Sequence, residues 1–149
     1  MGNPMYDFLR SSQGPDWPTR GDATLERVQV PDLPLICVID DDRSVRSATA
    51  RLAQSLGYEV RVFDSAETYL TATVADPHIL VCDVQMPGMS GIDLYEKLQA
   101  EGRKVPTVFV TAHDPAAAQQ RAGPGTRILG KPFNGSDLAR CIEDMRLSL

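Results

Sequence analysis

The stretch from residue 79 to residue 91 constrains the fold of this chain more than any other. Residues 79–82 are four apolar residues in a row, typical of a strand buried on both faces, and they end at the carboxylate of Asp83. Pro87 and two glycines then favour a loop before the next helix. Asp83 is therefore predicted at the tip of a buried strand, where an acid is a loop cap, a metal ligand or a nucleophile.

Composition limits the kind of protein that this chain can be. It has 149 residues, of which 42% are hydrophobic and 23% charged, typical of one globular domain with a sizeable core. Its formal net charge of -5 argues against a nucleic-acid surface, because binding phosphates needs clustered Lys and Arg. The sequence shows neither an apolar run long enough to span a bilayer nor a signal peptide. We therefore expect a cytoplasmic protein that contacts neither nucleic acid nor membrane directly.

The first 33 residues differ in pattern from the rest of the chain. They contain four prolines among Gly, Ser, Asp and Arg, and they show neither helical nor strand periodicity. We expect a flexible N-terminal extension here and one folded domain from residue 34 to residue 149. The extension also carries Trp17 and other apolar side chains, so a docking segment stays open as the alternative.

Apolar runs alternate with helical patterns from residue 35 onwards. The runs predict five short strands, at residues 35–39, 58–63, 79–82, 105–110 and 127–129. Each run is followed by a helical pattern, and this alternation predicts an α/β fold, an open and mostly parallel sheet with helices on both faces. In such sheets, ligands lie beyond the carboxyl ends of the strands, where the strand order reverses.

Two of the helices have recognisable end signals. Asp64, followed three residues later by Glu67, predicts the start of the second helix. Asp114 and Pro115 predict the start of the fourth helix, because proline suits the first helical position. The Gly-Pro-Gly run at residues 123–125 ends this helix after about two turns. The fourth helix is therefore predicted to be short.

Polar side chains directly follow four of the predicted strands. A parallel sheet gathers strand ends at one edge, and carboxylates that meet there repel one another unless a cation offsets them. Oxygen ligands alone favour Mg²⁺, and an Asp beside Mg²⁺, a lysine and a hydroxyl is suited to accept a phosphoryl group. The pattern therefore predicts phosphoryl chemistry. The residues are Asp40, Asp41 and Asp42 after the first strand, Asp83 after the third, Thr111 after the fourth and Lys131 after the fifth.

Four segments of the sequence resemble, in order, the signature blocks of two-component response-regulator receiver domains, the CheY-like superfamily. They are residues 38–42, 82–91, 110–112 and 131–133, and the resemblance extends over residues 35–149. It implies a flavodoxin-like sheet of strand order 2-1-3-4-5. It also implies a signalling domain rather than an enzyme. Such a domain takes a phosphoryl group from a histidine kinase or a histidine phosphotransfer protein and changes its contacts with a downstream protein, which the sequence does not identify.

The resemblance implies a role for each acid at the strand ends. Asp83 would accept the phosphoryl group, and Asp40 and Asp41 would hold the Mg²⁺ cofactor directly or through water. Asp83 itself and the backbone carbonyl of Gln85 would complete the ligands that the protein supplies. Asp42 is expected to have no direct metal role.

The residues after the fourth and fifth strands also receive roles from the resemblance. Thr111 would sense the phosphoryl group, and Lys131 would pair with it. The peptide bond between Lys131 and Pro132 is expected to be cis, as is typical of the family.

Four positions are expected to modulate the signal. Gln85 and His113 occupy positions that influence the loss of phosphate in the family, and Ala112 lies directly before His113. Ile128 stands where receivers usually carry Tyr or Phe in the fifth strand. The aromatic switch of the family cannot operate with this residue, so the readout of phosphorylation is expected to differ or to be lost.

Two other functions stay open at this point. A receiver that keeps its pocket can act as a phosphorylation-independent interaction module, which the isoleucine and the short fourth helix favour. A haloacid-dehalogenase-like phosphatase with Asp40 as nucleophile is the second alternative, because residues 40–44 resemble the nucleophile motif of that family. A stand-alone regulator, the receiver part of a longer regulator and a homodimer are all compatible with the sequence.

Overall fold

The computed structural model describes residues 33–148, in which strands and helices alternate. The strands are β1 (Leu35–Ile39), β2 (Glu59–Phe63), β3 (Ile79–Asp83), β4 (Thr107–Thr111) and β5 (Arg127–Gly130). The helices are α1 (Arg43–Ser55), α2 (Ala66–Thr71), α3 (Gly91–Ala100), α4 (Pro115–Ala122) and α5 (Gly135–Leu147). The predicted alternation of five strands and five helices is confirmed. All but the last residue of the predicted N-terminal extension lies outside the described residues.

The strands form one parallel sheet of order β2-β1-β3-β4-β5. This is the predicted order, and the flavodoxin-like fold is confirmed. Every residue of β3 and β4 is buried, because helices cover both faces of the sheet. The strand order reverses between β1 and β3, since the chain moves from β1 outward to β2 and then back across β1 to β3. A ligand is expected at the carboxyl ends of these two strands.

Two core layers hold the helices to the sheet. Along each strand, successive side chains point to opposite faces, so neighbouring residues join different layers. On one face, Leu94 and Leu98 of α3 pack with Phe109 of β4. On the other face, Leu138 and Ile142 of α5 pack in a cluster with apolar residues of β1, β3 and β4. Each of these five side chains is fully buried, which stabilises the fold by about 1.5–3 kcal/mol per residue.

Side-chain caps determine where the helices begin. Asp114 caps α4, with Pro115 in its first turn, as predicted. The predicted cap of α2 is wrong by one residue: Ser65, not Asp64, occupies the cap position and its hydroxyl accepts a hydrogen bond from the Thr68 amide at 3.0 Å. Asp64 instead accepts a bond from the Thr68 hydroxyl at 3.1 Å, because it lies one residue too early to reach the amide.

The fourth helix is short, as predicted. α4 has eight residues and is capped at its C-terminus by Gly123, whose φ of +87° favours glycine. Gln119 donates hydrogen bonds to the Gly123 carbonyl at 2.9 Å and to the buried Thr126 hydroxyl at 3.2 Å, which ties the end of the helix to the following loop.

Among the described helices, none is both long enough and apolar enough to cross a membrane.

Several strand boundaries differ from the predicted ones by one or two residues. β4 begins at Thr107 rather than at residue 105, because its ladder with β3 starts where the Leu80 amide donates to the Pro106 carbonyl. The same strand includes Thr111, and β3 includes Asp83. Both polar residues are therefore the last members of buried strands and not the first members of loops, so the sheet itself positions them.

Candidate functional site

Three carboxylates meet at the switch point of the sheet. Asp83 ends β3, and Asp40 directly follows β1, whose last residue pairs with the residue before Asp83. One carboxylate oxygen from each of Asp40, Asp41 and Asp83 lies within 4.8 Å of the others. Asp40 and Asp83 are buried, at 2% and 5% exposure, whereas Asp41 is exposed. The convergence predicted from the strand ends is therefore present for these three acids.

The loop between β1 and α1 is held by its own acids. The Asp42 amide donates to Asp40 Oδ1 at 2.8 Å. Asp42 Oδ1 accepts from the amides of Ser44 and Val45, which makes Asp42 the cap of α1. Its carboxylate is thus occupied with the helix and lies outside the three-acid cluster. Arg46, to which the sequence assigned no role, donates from Nη1 to the Asp40 carbonyl at 2.7 Å.

Lys131 brings a positive charge between two of the acids. Its Nζ lies 3.2 Å from Asp40 Oδ2 and 3.4 Å from Asp83 Oδ2. The Lys131 amide donates to the Thr111 carbonyl. This bond extends the pairing of β5 with β4 by one residue and positions Lys131 next to the acids. Burial lowers the pKa of this ammonium group, but Asp40 and Asp83 offset it and hold the pKa above its ordinary value. Lys131 is thus a permanent cation of the site.

Among the described acids, Asp83 is the one whose pKa departs furthest from its ordinary value. Burial raises the pKa of Asp83 to about 6, and the negative charge of Asp40 adds to this effect. Lys131 and the Gln85 amide, which donates to Asp83 Oδ1 at 3.4 Å, act in the opposite direction. The balance leaves Asp83 mostly ionised at neutral pH and in an environment that a further cation would stabilise.

The loop after β3 is closed by backbone contacts. The Val84 amide donates to the Val110 carbonyl of β4, and the Gly91 amide donates back to the Val84 carbonyl, both at 2.9 Å. A Cβ atom at Gly91 would collide with the Asp83 carbonyl oxygen, so only glycine lets α3 begin this close to the acid. α3 then starts with a capping box, in which Ser90 and Asp93 exchange side-chain and backbone hydrogen bonds.

Comparison with known proteins adds a decisive observation. A family model described as the response regulator receiver domain matches residues 36–143. This chain belongs to the response regulator receiver domain family. Response regulators work with histidine kinases in two-component systems, and their receiver domains bind Mg²⁺ at an acidic pocket.

Two relatives of similar sequence support the assignment to this family. Nodulation protein W of Bradyrhizobium diazoefficiens is 32% identical over 130 residues, which are 85% of this chain and 56% of that protein. FixJ of Azorhizobium caulinodans is 38% identical over 115 residues, 75% of this chain and 53% of that protein. This receiver chain thus spans about half the length of these relatives.

Two solved structures show the same fold. The structure of the response regulator StyR is 40% identical, with a TM-score of 0.67, over 77% of this chain and 60% of that chain. The beryllofluoride-activated receiver domain of DrrB has a TM-score of 0.69 over 77% of this chain and 98% of that chain. Its identity of 24% supports the fold alone.

The acids of this receiver suit a magnesium ion. Mg²⁺ prefers oxygen ligands and binds through one or two carboxylates together with phosphate oxygens and water. Three carboxylates against the single ammonium of Lys131 leave an excess of negative charge in a partly buried site. The donor set therefore fits a hard divalent cation.

Thr111, Ala112 and His113, at the end of β4 and directly after it, lie beside the acids without contacting them through the Thr111 hydroxyl. Thr111 is buried at the end of β4, and its hydroxyl oxygen accepts a hydrogen bond from the His113 amide at 3.1 Å. In the described part of the chain, no hydrogen bond joins the Thr111 side chain to the three acids. Ala112 and His113 are exposed next to the site. The peptide bond between Lys131 and Pro132 is cis, as predicted.

The β5 position that departs from the family pattern is half-buried. Ile128 pairs with Phe109 of β4 and packs against the same core layer. The aromatic neighbour of Phe109 is instead Tyr95 of α3, whose ring meets it edge-on with centroids 5.6 Å apart. The aromatic partner of Phe109 thus comes from a helix, which no pattern within β5 could have revealed.

Proposed function

We propose that this chain is the phosphoacceptor receiver of a two-component phosphorelay and that Asp83 accepts the phosphoryl group. The observation that carries the proposal is the position of the Asp83 carboxylate, 3.4 Å from Lys131 Nζ and beside the carboxylates of Asp40 and Asp41. A loop cap needs neither a lysine nor two further acids. A nucleophile beside a cation site needs both.

The transfer forms one bond and breaks another. A carboxylate oxygen of Asp83 bonds to the phosphorus of a phosphohistidine donor as the phosphorus–nitrogen bond breaks, and its electron pair returns to the imidazole. Lys131 pairs with an oxygen of the transferred group, and Thr111 turns its hydroxyl to donate to another. Asp40, Asp41, Asp83 and the Gln85 carbonyl would hold Mg²⁺, which when bound offsets negative charge on the transferring group.

The partners follow from the same proposal. The donor is a histidine kinase or a histidine phosphotransfer protein, and the phosphorylated receiver changes its contacts with a downstream protein or with a second copy of itself. Several relatives are named transcriptional regulatory proteins and are about twice as long as the matched region, which favours the receiver part of a longer regulator over a stand-alone one. Any contact with DNA would then lie outside this chain.

Phosphorylation by acetyl phosphate in the presence of Mg²⁺, followed by mapping of the modified residue, tests the proposal. We expect modification on Asp83 and none in an Asp83→Asn variant or after chelation of Mg²⁺. Modification on Asp40 would instead support the phosphatase alternative, to which the receiver family match gives no support. A chain that stays unmodified at Asp83 would contradict the proposal.

A receiver that acts without phosphorylation is the second candidate, and Ile128 is the observation that favours it. Titration of the labelled chain with beryllofluoride and Mg²⁺, followed by NMR, separates the two candidates. The phosphoacceptor predicts chemical-shift changes that extend from Asp83 into α4 and β5. Changes confined to the residues around the three acids favour the interaction module.

A further inference from the structure

We propose that Glu67 of α2 is a positioning residue for this site. It acts through the acceptor loop, residues 84–90, which joins Asp83 to α3 and carries the Gln85 carbonyl. Its carboxylate holds the centre of this loop in place. The inference rests on the proposed function, because it concerns the geometry of the proposed metal ligands.

The contact joins two distant parts of the chain. Glu67 Oε2 accepts a hydrogen bond from the Met89 amide at 2.8 Å, across 22 residues of sequence. A carboxylate acceptor makes this bond stronger than a neutral pair would. Glu67 lies on the exposed side of α2. Among the described residues, its side chain makes no hydrogen bond or ion pair other than this one. Loop tethering therefore explains the only polar contact that the side chain makes there.

The other anchors of the acceptor loop lie at its two ends. Val84 is bound to β4 and to Gly91, and the Gln85 amide donates to Asp83, the residue that precedes the loop. Ser90 is bound within the capping box of α3. Residues 86–89 lie between these ends. Among the described residues, the hydrogen bond from the Met89 amide to Glu67 is the one that ties this part of the loop to a different element.

Gly88 is adapted to the same contact. Its φ is +81°, and a Cβ atom built on it would lie 2.6 Å from Glu67 Oε2. Any other residue at position 88 would therefore displace the carboxylate, in addition to straining the backbone. The neighbouring Met89 side chain packs against the core layer that contains Ala66 and Tyr69 of α2. The loop and α2 are thus fitted to each other by both polar and apolar contacts.

The hydrogen bond between Glu67 and the Met89 amide, here called the tether, affects the geometry of the site through Gln85. The Gln85 amide touches the Asp83 carboxylate and its carbonyl is a proposed metal ligand, so the freedom of this peptide determines how well the ligands are preorganised. Releasing Met89 lets the centre of the loop move, and the ligand geometry must then be restored each time Mg²⁺ binds.

Two substitutions separate the tether from the charge. Glu67→Ala removes the acceptor, and we expect Mg²⁺ affinity and the rate of phosphorylation by acetyl phosphate to fall by about three- to tenfold. Glu67→Gln keeps a carbonyl oxygen at the same reach, and we expect both quantities to stay within about twofold of the unsubstituted chain. Glu101→Ala is the matched control, because the partners of its carboxylate among the described residues are Lys97 and Arg103, away from the loop.

Amide hydrogen exchange of Met89 gives a readout that does not depend on phosphorylation. We expect faster exchange in Glu67→Ala than in the unsubstituted chain or in Glu67→Gln. Equal exchange in all three would overturn the inference, as would equal Mg²⁺ affinity in all three. Equal losses in both Glu67 variants would overturn it too, because the charge and not the hydrogen bond would then be responsible. Failure of the proposed function appears separately, as an unsubstituted chain that is not phosphorylated on Asp83.

A double-substitution cycle adds a test of the fit between Gly88 and Glu67. Gly88→Ala should weaken Mg²⁺ binding more in the unsubstituted chain than in Glu67→Ala, since backbone strain is common to both backgrounds and displacement of the carboxylate is not. Equal effects in both backgrounds would contradict the proposed contact.

Discussion

At the scale of single residues, the protonation of Asp83 is set by opposing effects of burial and neighbouring charges. Asp83 has a raised pKa because burial and Asp40 act against the stabilising effect of Lys131. The ionised form of Asp83 is therefore held at a cost to the folded protein when no further cation is present. A cation that bound beside Asp83 would lower that cost.

The raised pKa predicts a particular dependence of stability on pH. Asp83 binds its proton more tightly in the folded chain, with a pKa of about 6, than in the unfolded chain, at about 4. Stability contributed by this group therefore falls as pH rises between these values and stays level above them. We expect Asp83→Asn to raise the free energy of unfolding by about 1–2 kcal/mol at neutral pH without Mg²⁺.

Urea denaturation over a range of pH measures this effect. The difference between the Asp83→Asn variant and the unsubstituted chain should shrink as pH falls below the folded pKa, because the unsubstituted carboxyl is then neutral as well. Added Mg²⁺ should stabilise the unsubstituted chain more than the variant. An Asp83→Asn variant less stable than the unsubstituted chain at neutral pH would show that the ion pair with Lys131 outweighs burial.

Two exposed residues beside the site are predicted to set the lifetime of the phosphorylated state. Gln85 and His113 lie two residues after Asp83 and Thr111, and both are exposed to the solvent from which the attacking water must come. We expect Gln85→Ala and His113→Ala each to change the half-life of phosphorylated Asp83 several-fold, because each side chain obstructs or orients water. Decay of the labelled phosphoprotein measures this, with Gln120→Ala as an exposed control on α4. Unchanged decay in both variants would refute the assignment.

At the scale of elements, α3 is placed by a close backbone approach. Gly91 lies against the Asp83 carbonyl, where a Cβ atom would collide with backbone that cannot move without distorting the site. The end of β3 and the start of α3 are therefore in direct backbone contact, and neither can shift without moving the other. The sequence indicated a loop here through Pro87 and its glycines, but it did not show which glycine was required by contact and which by backbone conformation.

A pair of glycine substitutions separates these causes. We expect Gly91→Ala to lower the free energy of unfolding by about 2–3 kcal/mol, because the added methyl group overpacks the backbone. Gly102→Ala should cost about 1 kcal/mol, because φ is +77° there but nothing lies within 4 Å of the added atom. Urea denaturation of both variants checks this order. Equal losses would mean that the structure relaxes around Gly91.

At the scale of the whole molecule, residues 33–148 contain a complete fold. The five strands are paired in one sheet, and both faces are covered by helices of the same segment. The two core layers are made from these residues. We therefore propose that the folded domain extends from residue 34 to residue 149 and does not need the preceding residues for its stability.

Removal of residues 1–33 tests this boundary. We expect the free energy of unfolding of the shortened chain to stay within about 1 kcal/mol of that of the full chain, since core burial dominates stability. Thermal and urea denaturation of both chains measure it, and capture of the proposed histidine kinase partner by both chains tests binding. A larger loss of stability, or weaker kinase binding, would support the docking alternative for the extension.

The sequence by itself determined the architecture and the acids of the site. Short apolar runs that alternate with helical patterns indicate a parallel sheet buried between two layers of helices. Parallel strands then bring Asp40, Asp41 and Asp83 to one edge whatever the details of packing. The motifs added the family and the strand order. Boundaries differed by one or two residues, since capping depends on which side chain reaches which amide, as at Ser65.

The tertiary structure decided the contacts between residues far apart in the chain. Lys131 lies between Asp40 and Asp83, Tyr95 covers Phe109, and Glu67 reaches the Met89 amide across 22 residues. Local periodicity says which face of an element is buried, but not which side chain of another element meets it. That depends on the order and register of the strands and on the packing of the helices against them, and these are properties of the folded chain as a whole.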